Sequence, residues 1–279
     1  MSSPPNNSIE IIEESLNIFE EPTSSEEEVE YSFHTYKRVE PIDDTCNPSI
    51  KDITVRLSQK HSLWAHLPWN AGIALSDYFE HNVDFKNKND SQKKTLTIHH
   101  PSSVLELGAG AGFPSFIAAL KGAKKVVLTD YPDEELISNM KYNVNNSLPQ
   151  NLTINRVYGE EHLWGKQPED LFKLLENPTT EKFDIIILSD LIFNHTSHER
   201  MLTSCQKCLS DNGVVYVTFS HHRPNRMEKD LYFFEDAVKY GFESEKFSER
   251  KMQAMFDNDF GSEEVRKTVH FYIMKFKKE

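Results

Sequence analysis

The stretch that decides the fold is residues 104–112, which read VLELGAGAG. A mostly apolar run that ends in three alternate glycines predicts a β-strand entering a tight turn, and Pro114 just beyond favours the first turn of a helix. In open α/β folds such a turn lies at the carboxyl end of the sheet, where ligands bind. Glycine suits this turn, because a Cβ would hold the backbone away from a ligand and some tight turns need a positive φ.

The spacing of the glycines narrows the choice of ligand. A dinucleotide fingerprint needs Gly-x-Gly-x-x-Gly, whereas here the third glycine arrives one position early and Phe113 stands in the last place. No Lys-Ser/Thr pair follows, which disfavours a phosphate-binding P-loop. The run Glu-x-Gly-x-Gly-x-Gly over residues 106–112 instead resembles motif I of class I S-adenosylmethionine-dependent methyltransferases. A tight turn without a ligand is the alternative.

Asp130 is the second sign of a nucleoside site. It ends the next apolar run, residues 126–130, 18 residues after Gly112. A carboxylate in this place accepts hydrogen bonds from both ribose hydroxyls of a dinucleotide or of S-adenosylmethionine. The alternative role is an N-cap for a helix before Pro132. The loop and the carboxylate together predict S-adenosylmethionine as the cofactor.

Short apolar runs and helical stretches alternate around this loop, which is typical of a doubly wound α/β fold with a mostly parallel sheet. The predicted strands are 52–57, 104–107, 126–129, 152–158, 183–189 and 214–219. Helices are predicted at 71–80 and 226–240 and near Pro114, Asp133, Pro168 and Ser197. Residues 242–247 and 265–276 predict a C-terminal antiparallel hairpin on the sheet edge. The Lys/Asn-rich residues 82–94 read as a surface insertion with no assigned role.

Charge is concentrated at the N-terminus. Residues 1–30 hold nine Glu and no Lys or Arg, so they carry −9 of the net charge of −13 and leave −4 for the other 249 residues. Ile9, Ile12, Leu16 and Phe19 have helical spacing, which predicts either a short amphipathic helix or a loose acidic arm. We therefore divide the chain into an arm, 1–50, and a catalytic domain, 51–279. The acidic balance favours a basic protein as partner over nucleic acid.

The start of the chain and its hydropathy also bear on location. An acidic opening lacks the basic residues of secretory and mitochondrial signals, and no apolar run approaches the ~20 residues that span a bilayer. Three cysteines are too few for a disulfide framework in a chain of this length. We expect a cytoplasmic, monomeric protein without a membrane partner.

The sequences around two tryptophans resemble a particular methyltransferase family. Residues 67–72, LPWNAG, and the pair Trp164-Gly165 resemble the Trp motifs of the family 16 lysine methyltransferase group. Residues 16–22, 63–72 and 189–195 further resemble the fungal branch of that family that methylates translation elongation factor 1-alpha. The resemblance implies a seven-stranded, Rossmann-like methyltransferase sheet and methylation of the N-terminal glycine amine and the adjacent lysine of that factor. Gly112 departs from this branch by making a fuller glycine motif.

The same resemblance implies a set of site residues. The cofactor contacts fall on Trp69, Gly108, Ala109, Gly110, Asp130, Trp164 and Ser189. Trp64 competes with Trp69, which we prefer because Ala71 and Gly72 would let a helix approach the cofactor. Asp190, at the end of the strand 183–189, is the candidate that holds the acceptor amine, and a helix cap is its alternative. Phe193 is either a pocket wall or ordinary packing.

Two other groups of residues give weaker indications of a functional site. His195-x-x-His198 with Cys205-x-x-Cys208 has metal-ligand residue types, but the spacing differs from zinc fingers, so we assign no metal and expect the cysteines on a helix. Ser220, His221 and His222 follow a strand without a Gly-x-Ser-x-Gly elbow. The rival functions are a small-molecule N-methyltransferase, for instance of nicotinamide, and a non-catalytic protein-binding module; intact Gly108, Gly110 and Asp130 argue against the module.

Overall fold

The computed structural model describes residues 31–38, 50–59, 66–83, 103–256 and 260–278. The strands found there are β1 (Phe33–Lys37), β2 (Asp52–Arg56), β3 (Ser103–Leu107), β4 (Lys125–Asp130), β5 (Val157–Glu161), β6 (Phe183–Ser189), β7 (Leu209–Ser220), β8 (Phe242–Lys251) and β9 (Thr268–Phe276). The helices are α1 (Asn70–Asn82), α2 (Phe113–Leu120), α3 (Glu134–Asn146), α4 (Gln150–Thr153), α5 (Glu169–Phe172), α6 (His198–Cys208), α7 (Met227–Ala237) and α8 (Glu263–Arg266).

Seven of these strands form one sheet in the order β5-β4-β3-β6-β7-β9-β8. The pairs from β5 to β7 are parallel, whereas β9 runs antiparallel to both β7 and β8. The predicted C-terminal hairpin is therefore confirmed, with β9 inserted between β7 and the edge strand β8. The chain order also reverses beside β3, where β4 lies on one side and β6 on the other, and ligands of open α/β sheets bind at such a switch point.

Both faces of the sheet are buried, as the doubly wound prediction requires. Along β3, Val104 belongs to one apolar cluster and the next residue, Leu105, to another. The first cluster includes residues of α1, α2 and α3, and the second includes residues of α6 and α7. Because side chains alternate between the faces of a strand, a continuous apolar run supplies both layers.

One predicted strand was wrong in its placement. Residues 152–158 read as a strand, but α4 occupies Gln150–Thr153 and β5 begins only at Val157. Pro149 stands directly before α4, where its fixed φ suits the entry to a helix, and Asn155 turns the chain with a φ of 57°. The apolar Leu152 and Ile154 therefore belong to a short helix and a turn.

The strands β1 and β2 form a separate antiparallel ribbon. It is held to α3 by Arg56, whose guanidinium lies 4.0 Å from the ring centroid of Tyr31 and 3.9 Å from that of Tyr142. The Gln59 N–H donates to Glu135 in the first turn of α3. Since α3 follows the carboxyl end of β4, Gln59, which comes after β2, lies near the carboxyl edge of the sheet.

Some predictions lie outside the described residues: the amphipathic helix in 8–22, Trp64, and the insertion 82–94 beyond Val83. Within the described ranges, no helix is long and apolar enough to cross a membrane.

Candidate active site

The candidate site lies along the carboxyl edge of four neighbouring strands, β4, β3, β6 and β7. Asp130 ends β4 and the glycine loop follows β3. Ser189 ends β6 with Asp190 directly after it, and the pair His221-His222 follows β7. Parallel strands bring these ends to one edge although the residues are far apart in sequence. The predicted nucleoside carboxylate, the glycine loop and the predicted acceptor carboxylate are thereby placed in this order along the edge.

The glycine loop is held against β4 and is open on one side. The Ala109 N–H donates to the Thr129 carbonyl at 2.9 Å. Gly110 has a φ of 51°, and a Cβ built there would meet no atom of the described residues within 4 Å. Gly112, with a φ of 80° before α2, faces the core instead, since a Cβ would lie 2.4 Å from Leu128 Cδ2. The surface at Gly110 can therefore accept a ligand at backbone distance.

Asp130 points at this loop. Its Oδ2 accepts from the Gly110 N–H at 2.8 Å and its Oδ1 from the Tyr131 N–H at 2.8 Å. The helix cap that was the alternative role belongs to Asp133, which accepts from the N–H groups of Glu135 and Leu136. Each carboxylate oxygen has two lone pairs, so Asp130 can still accept from two ribose hydroxyls.

Glu106 lies in β3 just before the glycine loop, and the sequence analysis did not assign it a role. It is buried at the end of β3 and accepts a hydrogen bond from the Ser115 hydroxyl. Burial raises the pKa of Glu106 to about 8, with Ser115 opposing this shift and the charge of Asp130 adding to it. The glutamate of the Glu-x-Gly motif is thus a protonated acid near neutral pH. Its place in that motif was the available signal.

Trp164 closes the site on the side of the second apolar cluster. Its Cζ2 would lie 3.2 Å from a Cβ built at Gly108, so the indole packs on the start of the loop. The buried Trp164 Nε1 has no hydrogen-bond partner among the residues that the structure describes. An N–H of this kind usually finds a partner when buried, and an indole beside a nucleoside loop suits a flat heterocycle.

Asp190 is the most constrained residue of the edge. It has a φ of 57°, a conformation that costs about 1–3 kcal/mol for a non-glycine residue and is concentrated at functional sites. Its side chain is 2% exposed; Oδ1 lies 2.8 Å from His222 Nε2, and the buried Oδ2 has no partner within the described part of the chain. It does not cap the following helix, because α6 begins at His198 after Ser197.

His222 was noted in the sequence without a role, and the structure places it beside Asp190, the predicted acceptor carboxylate. A carboxylate only accepts, so the Asp190 contact requires a hydrogen on Nε2. The imidazole ring lies 5.0 Å from the ring of Trp69 and 6.3 Å from that of Phe193. Phe193 is 42% exposed, which fits a pocket wall better than core packing.

Trp69 and Ser189 lie where α1 meets the end of β6. Trp69 is the residue before α1, and a Cβ on Gly72 would lie 3.4 Å from Ser189 Oγ, so glycine lets the helix approach the strand end. The contacts of Trp69 with His222 and Phe256 put its ring on the acceptor side of the edge. Its assignment to the cofactor stays a prediction.

The histidines and cysteines of the zinc alternative are used elsewhere. His195 Nε2 lies 2.7 Å from Asp230 and His198 Nε2 lies 2.7 Å from the Ile192 carbonyl. Cys205 and Cys208 are buried on α6, as predicted, and burial raises the pKa of the Cys208 thiol to about 12. A thiol that stays protonated is a poor metal ligand.

Comparisons with known proteins agree with this geometry. A model of the lysine methyltransferase family matches residues 50–239. The chain is 42% identical over 226 residues to the protein N-terminal and lysine N-methyltransferase efm7 of Schizosaccharomyces pombe, covering 80% of this chain and 82% of the relative. It is 37% identical over 267 residues to the enzyme of the same name from Candida glabrata, covering 95% and 97%.

A solved Streptococcus mutans protein, described as a SAM-dependent methyltransferase, shares the fold with a TM-score of 0.50 at 14% identity, over 80% of this chain and 53% of that one. At this identity the likeness is evidence for the fold alone. The family match covers most of the catalytic body and includes the glycine loop, Asp130 and Asp190. The chain belongs to the lysine methyltransferase family and is an S-adenosylmethionine-dependent methyltransferase.

Proposed function

We propose that this enzyme methylates a protein, and that its acceptors are the N-terminal glycine amine and the adjacent lysine of translation elongation factor 1-alpha. The observation that carries the amine acceptor is Asp190, a buried carboxylate next to the glycine loop, one of whose oxygens has no partner among the described residues. The protein acceptor is supported by relatives of 42% and 37% identity whose names are protein N-terminal and lysine N-methyltransferase.

The residues of the edge fit S-adenosylmethionine. Gly108, Ala109 and Gly110 would line the backbone approach, and Asp130 would accept from the ribose hydroxyls. Trp164, whose ring packs on Gly108, would lie beside the adenine. Trp69 and Ser189 complete the proposed contacts at the end of β6. When bound, the cofactor supplies a methyl group whose bond to sulfur breaks, with the electron pair going to sulfur, as the amine nitrogen forms the new bond to carbon.

The acceptor side holds a cationic amine. Asp190 Oδ2 would accept a hydrogen bond from the incoming ammonium, and Phe193 would present its ring face to a methylated nitrogen. Because methyl transfer develops no oxyanion, most of the acceleration comes from positioning the nitrogen in line with the methyl group. Phe193 is exposed beside Asp190 in the chain, which suits contact with a protein substrate at the surface.

The proposal also covers the domain organisation, the location and the partners of the protein. We keep the division into an acidic arm, 1–50, and a catalytic domain, 51–279, as a prediction, and β1 of the first part pairs with β2 of the second. The protein is proposed to be a cytoplasmic monomer that binds no nucleic acid. The nine glutamates of residues 1–30 suit a basic partner.

One assay tests the proposed function. The enzyme is incubated with cofactor labelled in the methyl group and with three acceptors: unmodified elongation factor 1-alpha, the same factor with an acetylated N-terminus, and nicotinamide. We expect label on the factor, at the N-terminal glycine and the next lysine, and none on nicotinamide. Labelling of nicotinamide alone would favour the small-molecule rival, and no labelling with intact cofactor binding would favour the binding module.

A further inference from the structure

The start of the segment between β8 and β9 contacts the acceptor side of the candidate site. The Asn70 amide donates a hydrogen bond to the Gln253 carbonyl at 2.6 Å. The ring of Phe256 lies 6.1 Å from the ring of Trp69, which lies 5.0 Å from the imidazole of His222. This part of the segment therefore lies close to the proposed acceptor carboxylate, to which His222 is hydrogen-bonded.

The end of the same segment lies at the carboxyl edge of the sheet. A Cβ built on Gly261 would lie 2.9 Å from Pro224 Cγ, so the chain packs here on the residues that follow β7. Because β9 runs antiparallel to β7, with Val269 opposite Ser220, β9 begins where β7 ends. Arg266 ends α8 two residues before β9 and is thereby placed at this edge.

Arg266 is a buried cation that forms no ion pair with a carboxylate of the described residues. It is 6% exposed. Its Nη1 donates to the Phe256 carbonyl at 2.6 Å, whereas the buried Nε has no hydrogen-bond partner within the described ranges. The two acids of its own helix are paired with lysines, Glu263 with Lys267 and Glu264 with Lys251.

A buried cation in this state calls for an explanation. An arginine keeps its charge in a protein, so its burial is not relieved by the loss of a proton. A buried charge without a partner is costly to the folded state, and native proteins hold few such groups. Because Arg266 lies at the acceptor side of the edge, the acceptor is the molecule placed to supply the missing anion.

We propose that Arg266 is a specificity-determining residue that binds an acidic side chain of the acceptor protein, a few residues from the amine that is methylated. The inference rests on the proposed function and adds to it a feature of the acceptor sequence. A guanidinium binds a carboxylate through two parallel hydrogen bonds, and the Nε–Nη2 edge is the one that the contact with Phe256 leaves for this purpose. Because Nε is buried, the carboxylate reaches it after a small shift of the side chains above it, and such shifts are common when proteins bind.

The strand order places Arg266 on the acceptor side and away from the proposed cofactor. One strand, β7, separates β9 from β6, and two separate β9 from β3. With about 4.8 Å between neighbouring strands, the start of β9 lies roughly 10 Å from the end of β6 and roughly 14 Å from the end of β3. An extended chain advances about 3.3 Å per residue, so about three residues of the acceptor span the distance from Asp190 to Arg266. The acidic residue is therefore expected between the third and the sixth position of the acceptor.

The test uses five forms of elongation factor 1-alpha that differ only at the third to sixth residues, counted from the N-terminal glycine. One form has glutamine at all four positions, and each of the others has a single glutamate at one of them. The value of kcat/KM on each form is measured for wild type and for Arg266→Gln. Lys267→Gln is the matched control, since it removes the charge of the adjacent residue, which pairs with Glu263. Arg266→Lys keeps the charge without the fork and carries the test if Arg266→Gln does not fold.

We expect wild type to methylate at least one glutamate form at least ~10-fold more efficiently than the all-glutamine form, as the loss of a charged hydrogen-bond partner implies. In Arg266→Gln this preference should fall below ~2-fold, and in Arg266→Lys it should fall at least ~3-fold from the wild-type value. Lys267→Gln should keep the preference to within ~2-fold. The affinity of Arg266→Gln for S-adenosylhomocysteine, measured by calorimetry, should stay within ~2-fold of wild type.

Several results would overturn the inference. An equal loss on all five forms in Arg266→Gln would reduce Arg266 to an anchor for the Phe256 carbonyl. Weaker binding of S-adenosylhomocysteine, with unchanged binding of methylthioadenosine, which lacks the carboxylate, would assign Arg266 to the cofactor. Asp257 and Asp259 lie outside the described residues, and a glutamate preference that appears only in Asp257→Asn or Asp259→Asn would show that the chain itself supplies the anion. Equal methylation of all five forms by wild type refutes the inference alone, whereas methylation of none of them refutes the proposed function.

Discussion

Replacing Gly110 with alanine tests whether the open face of the glycine loop binds the cofactor, as proposed, separately from the face that packs on the core. At Gly110 a Cβ would meet no described atom within 4 Å, so the cost to the folded state is the left-handed backbone alone, with a φ of 51°. That conformation costs an L-residue about 1–2 kcal/mol. For a chain of this size the melting temperature should fall by roughly 2–8 °C.

Gly112 is the matched control, because it shares the positive φ but faces the core. Its Cβ would lie 2.4 Å from Leu128 Cδ2 and 3.3 Å from Phe116 Cε2. Overpacking adds about 1–3 kcal/mol to the backbone strain. Gly112→Ala should therefore destabilise the protein more than Gly110→Ala does.

The affinities for the cofactor should show the reverse order. A methyl group at Gly110 stands between the loop backbone and the proposed cofactor, so we expect Kd for S-adenosylhomocysteine to rise at least ~10-fold, about 1.4 kcal/mol. Gly112→Ala, measured below its melting temperature, should lose less. Thermal denaturation and titration calorimetry give both quantities. Wild-type affinity in Gly110→Ala would refute the assignment of the open face to the cofactor.

Three further predictions concern other parts of the site. Asp130→Asn should weaken S-adenosylhomocysteine binding by about 1–3 kcal/mol in calorimetry, since it removes a charged acceptor from the ribose; unchanged affinity would exclude Asp130 from the site. Burial raises the pKa of Glu106 from an ordinary 4.5 to about 8. Between these two pH values the folded state holds a proton that the unfolded state has lost. The contribution of Glu106 to the free energy of unfolding therefore declines as pH rises from about 4.5 to 8. Glu106→Gln should flatten that decline in denaturant titrations, and an unchanged slope would contradict the protonated state. Deleting residues 1–24 should leave cofactor affinity unchanged and the free energy of unfolding within ~1–2 kcal/mol, yet reduce methylation of the protein acceptor severalfold; a full rate on that acceptor would show that the arm takes no part.

The elements that the sequence predicted well are those whose signal is local. The apolar runs that became β3, β4, β6 and β7 and the helix start at Asp133 agree with the structure to within a few residues, because periodicity and capping act between near neighbours. The wrongly placed strand, 152–158, also depended on near neighbours in the chain. Its apolar residues suited a strand, but Pro149 and the left-handed Asn155 favour a helix and a turn.

In the candidate site, too, the sequence predicted the features that depend on near neighbours and missed those that depend on distant ones. The glycine loop and its cofactor class followed from residues 106–112 and from the position of Asp130, a pattern contained in two adjacent strands. The partner of Asp190 did not, since His222 lies 32 residues further along the chain and reaches it because β7 pairs with β6. Glu106 is part of the glycine-rich sequence motif, but its protonated state depends on complete burial, which the motif does not predict.

By itself, the sequence determined the class of fold, the position of the glycine loop, the cofactor class and the family, since these depend on residue types at fixed spacing. The tertiary structure decided which oxygen of Asp190 lacks a partner among the described residues, that Asp133 and not Asp130 caps α3, and that Trp69 lies beside His222. These are contacts between strand ends, whose distance in space is set by the strand order of the sheet. No pattern of neighbouring residues encodes that order, because it results from the burial of two apolar faces by the whole chain at once.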